Sequence, residues 1–143
     1  MLQAGMFLIL APFAGFEFSS TAWPLLLSSM ALASLGLTAF GFLMAWALDN
    51  VQAYHAIQMT VLVPLWVVSG AMFPPDPSST FFSGLMALNP ISYAVVAVRH
   101  AFYSAGAPVS TVLDVSPTFA VIVLAAFAGL SLVAAIVLCE RRR

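Results

Sequence analysis

One long apolar stretch is interrupted repeatedly by proline, and no other feature limits the fold as much. Residues 60–103 read TVLVPLWVVSGAMFPPDPSSTFFSGLMALNPISYAVVAVRHAFY. Pro64 stands in the middle of an apolar run that ends at Ser69-Gly70-Ala71. The turn Phe73-Pro74-Pro75-Asp76-Pro77 follows, and then a second apolar run broken at Asn89-Pro90, with Arg99 beyond the break. A soluble core has little use for this order. In a bilayer it reads as a spanning helix, a tight turn, and a hairpin that dips in and returns. Backbone at the tip of such a hairpin must be buried against protein or line a wet cavity.

Composition settles the solvent. Hydrophobic residues make up 63% of the 143-residue chain and charged residues 6%, with mean hydropathy +1.08. Soluble domains carry about 25% charged residues, and so apolar a chain could not cover a water-facing surface. The expectation is an all-α integral membrane protein, one transmembrane domain over 1–143. It has about four transmembrane helices, with a re-entrant helical hairpin between the last two.

The first apolar stretch, 2–16, is weakened by Pro12 and rises only roughly 22 Å against a hydrocarbon core of about 30 Å. It lacks the basic start and cleavage pattern of a signal peptide, so it reads as a segment that stays. Trp23-Pro24 opens a span over 23–48, Trp suiting the interface and Pro the first helical turn. Along it Ala31, Ser34, Thr38, Gly41 and Ala45 recur at 3/4 spacing, a face on which another helix could pack closely. A polar path along Ser34 and Thr38 is the functional alternative. The polar break 49–55 leads to a span over 54–73. There Pro64 leaves the Thr60 carbonyl without its helical donor, and a kink is expected.

Residues 80–103 can be read as one kinked span or as two arms. Asn89 is a good N-cap and Pro90 a good first helical residue, so a fresh helix starts there and the hairpin reading is preferred. Ser116-Pro117 repeats that start before the last span, 117–139, in which Ala125 and Gly129 form a further small-residue pair. The terminal Arg141, Arg142 and Arg143 put the C-terminus in the cytoplasm. With a re-entrant hairpin, 74–79 and 104–116 lie outside, and Arg99 lies toward the outer side.

Catalytic signals are weak: no Walker, HExxH, CxxC or GxSxG pattern occurs. His55 and His100 fall on opposite sides of the membrane in this topology, so no metal site is expected. The single cysteine, Cys139, excludes an internal disulfide. Palmitoylation there is one reading, and an incidental membrane-edge cysteine is the plainer one. Arg99, an ionisable residue beside an apolar segment, is a functional candidate as well as a snorkelling anchor.

Pro64, the run Ser69-Gly70-Ala71-Met72-Phe73-Pro74, the run Leu88-Asn89-Pro90-Ile91-Ser92-Tyr93, and Arg99 together resemble the C-terminal half of the ABC type-2 permeases. The resemblance implies that 80–103 is that family's pair of external re-entrant helices. It further implies the membrane subunit of an exporter, part of the translocation pathway, with ATP and magnesium bound by a separate ABC ATP-binding subunit and no cofactor in this chain. Its structural or transport residues would be Pro64, Ser69, Gly70, Pro74, Asn89, Pro90, Tyr93 and Arg99. The partners would be that ATPase, the lipid bilayer, and a second permease chain or a missing N-terminal half; no nucleic acid is expected. The family pattern has six spans and an ATPase-coupling element between its second and third. The chain begins near the third, so the resemblance implies that the first spans and the coupling region are absent. The alternative function is a small membrane scaffold or assembly subunit without transport activity. The expected location is the cell inner or plasma membrane.

Overall fold

A computed structural model describes residues 2–15, 18–48, 50–71, 80–103 and 113–141, and the regular elements among them are helices. Helix α1 (Leu2–Leu10) tightens into a 3₁₀ turn at Ala11–Ala14, closed by Gly15 at φ +85°. Pro12 explains the change, because it has no N–H to continue the α-helical ladder. Helix α2 (Trp23–Ala47) runs for 25 residues, roughly 37 Å.

The next span, α3 (Val51–Val68), begins and ends earlier than the expected 54–73. The Asn50 side chain caps it, accepting from the Gln52 N–H at 2.8 Å. The polar run therefore ends at a cap and does not extend through His55. Within α3 the expected disturbance at Pro64 takes the form of a wide π turn at Gln58–Leu62 just ahead of it. Such a turn lets a helix absorb a missing donor and the bulk of the proline ring. The Thr60 hydroxyl donates to the Ala56 carbonyl at 2.8 Å across the widened turn.

Helices α4 (Thr80–Leu88) and α5 (Pro90–Phe102) meet at 89°. At 9 and 13 residues the arms rise only about 13 and 20 Å, so neither crosses by itself. Helix α6 (Pro117–Arg141) starts at Ser116, whose Oγ accepts from the Phe119 N–H at 3.2 Å. Among the described residues three helices are long and apolar enough to span: Trp23–Ala47, Val51–Val68 and Pro117–Glu140; Gln3–Phe13 is shorter. This is an all-α membrane fold with a bent helix pair before its last span.

The interior lies between α2, α5 and α6. Tyr93, Val96 and Ala97 of α5 pack on Ala120 and Leu124 of α6, with Leu25, Leu32 and Ala33 of α2 alongside. Leu130 and Ile122, 73% and 59% exposed, point outward, as lipid-facing residues do. The N-terminus of α2 is tied to α5 by the Ala22 N–H, which donates to the Ala101 carbonyl at 2.8 Å.

The buried face of α2 is not the expected one. Leu26, Ser29, Gly36 and Ala39 are buried, whereas Ala31, Thr38 and Ala45 are exposed, Ser34 is half-buried and nothing approaches Gly41. At about 100° per residue, Gly36 lies opposite the edge marked by Ser34 and Thr38. The reason is steric: a Cβ on Gly36 would meet the Phe127 ring at 2.6 Å and the Ala128 Cα at 3.3 Å. In α6, likewise, Ala120, Leu124, Ala128 and Ala135 are buried while Ala125 and Gly129 are exposed.

Gly36→Ala should therefore destabilise the chain by about 1–3 kcal/mol through overpacking. Gly41→Ala meets nothing and should be neutral or slightly stabilising. Thermal unfolding of both variants in micelles checks this, and equal midpoints would refute the α2–α6 packing.

Candidate functional site

The family-pattern residues converge where α3 ends. Ser69, wholly buried, closes that helix: its N–H turns to the Trp66 carbonyl at 3.2 Å, and its Oγ donates to the same carbonyl at 2.6 Å. Gly70 follows at φ +74°, a left-handed helix exit that side-chain-bearing residues adopt at a cost of about 1–2 kcal/mol. This tightening takes the Ser69 N–H away from the Leu65 carbonyl, its partner in a regular α-helix. An orphan carbonyl in an apolar setting needs another donor.

Asn89 supplies it. Its Nδ2 donates to the Leu65 carbonyl at 2.6 Å, while its Oδ1 accepts from the Ile91 N–H at 3.0 Å. One side chain, only 1% exposed, thus caps the end of α3 and the start of α5. Pro90, the first residue of α5, needs no N–H there. Arg99 makes a second tie, its guanidinium donating to the Gly70 carbonyl at 3.1 Å. Tyr93 braces the bend of the hairpin, its hydroxyl donating to the Ala87 carbonyl of α4 at 2.8 Å.

Six expected residues, Ser69, Gly70, Asn89, Pro90, Tyr93 and Arg99, thus build one joint between α3 and the hairpin. Pro64 stands apart on an exposed side of α3, and Pro74 lies outside the described residues. His100 directs Nδ1 at the Val96 carbonyl, 3.0 Å away, and His55 is exposed beside Tyr54. Among the described residues no cluster of His, Cys, Asp and Glu could hold a metal ion. Ser34, Thr38, Thr60 and Ser69 line none of the grooves described. The largest of these, about 450 Å³, lies between α1, α2 and α5 and is lined by apolar side chains such as Phe7, Met30 and Phe102. The arrangement is thus a set of hydrogen bonds joining the end of α3 to the bent helix pair.

Sequence reasoning passed over Ser92, which is buried on α5, and Gly36. For Gly36 the signal was present, since Ser29, Ala33 and Gly36 also follow a 4/3 spacing. Ser92 stands inside the run Leu88-Asn89-Pro90-Ile91-Ser92-Tyr93, three residues after Asn89, but nothing in the sequence separates it from an ordinary small helical residue.

A family model described as ABC-2 type transporter matches residues 1–103, and so covers Pro64 and the whole joint from Leu65 to Arg99. The chain belongs to the ABC-2 type transporter family. No curated protein and no solved structure gives a significant match. As an ABC-2 type transporter membrane domain the chain is a multi-pass membrane component of transport. The joint at Asn89 lies within the matched region, while α6 lies beyond it.

Proposed function

We propose that the chain forms part of the substrate pathway of an ABC exporter and is powered by a separate ATP-binding subunit. The family match over residues 1–103 carries this reading. The joint gives it a mechanical basis, because a hairpin that bends through 89° and ties onto a spanning helix is suited to closing one end of a pathway. In this reading the C-terminal arginines lie in the cytoplasm and the hairpin closes the outer end. ATP and magnesium belong to the partner, and a second permease chain or half completes the path.

A C-terminally tagged chain, extracted in mild detergent from its own membranes, should recover an ABC ATPase in comparable amount. Recovery of the chain without one supports the scaffold reading instead. Within the complex, Pro64→Ala restores the missing N–H and allows a regular turn at Gln58–Leu62. It should lower ATP-driven efflux severalfold at unchanged abundance. Unchanged efflux from an abundant variant would remove Pro64 from the mechanism.

A further inference from the structure

Buried polar atoms in a membrane protein are expected to be paired, and most here are. Ser29 donates to the Leu26 carbonyl at 2.9 Å, Ser69 to Trp66 at 2.6 Å, and Asn89 bonds in both directions. The Ser92 Oγ has no partner, although the residue is 0% exposed. Its position explains why this matters. Asn89, Ser92 and Arg99 are spaced 3 and 7 residues apart and so share one face of α5, beside the Val96 edge that packs on α6. The two ends of that face hold α3, through the carbonyls of Leu65 and Gly70. Ser92 therefore lies on α5 between the two residues that tie α3.

The two sides of this α3–α5 seam differ in how they are held. Helix α5 is fixed to the interior by Tyr93, Val96 and Ala97 and to α2 by the Ala22 N–H. Helix α3 has none of its span buried inside the protein, and its ties to the hairpin are concentrated at its end.

We propose that this seam is a latch that opens. Asn89 and Arg99 hold the end of α3 on the hairpin, and Ser92 is the hydroxyl that takes up water when they release it. Two hydrogen bonds favour the shut seam, and one unpaired buried hydroxyl works against them and lowers the cost of opening. A leucine or alanine at 92 would carry no such bias toward opening. The inference goes beyond the export reading and stands without it, since it concerns movement of the seam and not what is carried.

The test is water access at position 92 in the full chain, in native membranes. Cys139→Ala removes the natural thiol, and Ser92→Cys introduces a near-isosteric one. The probe is 2-aminoethyl methanethiosulfonate, which reacts with hydrated, ionised thiols. Labelling should be slow in the otherwise unaltered chain and at least tenfold faster when Asn89→Ser is added. That change keeps an oxygen to cap the Ile91 N–H but cannot reach Leu65. Equal rates with and without Asn89→Ser, whether both fast or both slow, overturn the latch. A thiol at the wholly buried Ala120 reports on the interior. If Ala120→Cys is also exposed by Asn89→Ser, the bundle loosens as a whole and the latch is wrong. Independently of any thiol, Ser92→Ala should slow amide hydrogen exchange over residues 66–71 at least threefold, and unchanged exchange would count equally against the proposal.

Discussion

Asn89→Ala is expected to destabilise the chain by about 2–4 kcal/mol, because one truncation removes two unrelated supports. The first is the N-cap of α5, where Oδ1 accepts from the Ile91 N–H at 3.0 Å; loss of such a cap costs about 0.5–2 kcal/mol. The second is the donor to Leu65. Its carbonyl is free for Asn89 because the last turn of α3 tightens and sends the Ser69 N–H to Trp66. Left unmet in an apolar setting, that carbonyl costs about 1–3 kcal/mol. Two further variants separate the supports. Asn89→Ser keeps the cap and should lose only the second part. Asn89→Asp also keeps the cap but turns an oxygen toward the Leu65 carbonyl, and should be worse than serine. Thermal unfolding of the purified chain in micelles reads the order, with alanine and aspartate below serine and serine below the natural residue. If alanine falls within about 0.5 kcal/mol of asparagine, the size of an ordinary surface substitution, Asn89 is not the pivot of the joint.

That joint was largely legible from residue order. A proline preceded by a capping residue announces a helix start through local chemistry alone, and both Asn89-Pro90 and Ser116-Pro117 begin helices in the structure. Ser69-Gly70 marks a helix end for a similar reason, since glycine tolerates the left-handed exit. What escaped the sequence depends on neighbours. Helix α2 carries small residues on two faces, so spacing could not choose between the Ser34–Thr38 edge and the face of Gly36; the Phe127 ring decides it. Helix α3 starts earlier than the polar run 49–55 suggests, because the Asn50 side chain caps it. At Pro64 residue order shows that a hydrogen bond must be lost, but not that the helix answers the loss with a widened turn at Gln58–Leu62. Ser92 looks like any small helical residue until its burial and its unpaired hydroxyl are seen.

Arg99→Ala should cost about 1.5–3 kcal/mol, the range for a hydrogen bond to a charged group, and the lysine variant shows which role the arginine has. As a simple anchor Arg99 would need only a long stem and a charge at the headgroups, and Arg99→Lys would then be neutral. As a tie it must direct an N–H at the Gly70 carbonyl from a rigid, planar fork. A lysine ammonium offers no such fork, so Arg99→Lys should fall much closer to alanine than to arginine. A second comparison follows from the geometry. Asn89 and Arg99 hold the same short end of α3, at Leu65 and Gly70. Once one tie is gone, the other has less of a fixed partner to hold. Asn89→Ser combined with Arg99→Ala should therefore cost less than the sum of the single changes, by about 0.5–3 kcal/mol as for other coupled neighbours. Strict additivity, together with a neutral lysine, would reduce Arg99 to a headgroup anchor and leave Asn89 holding the hairpin without it.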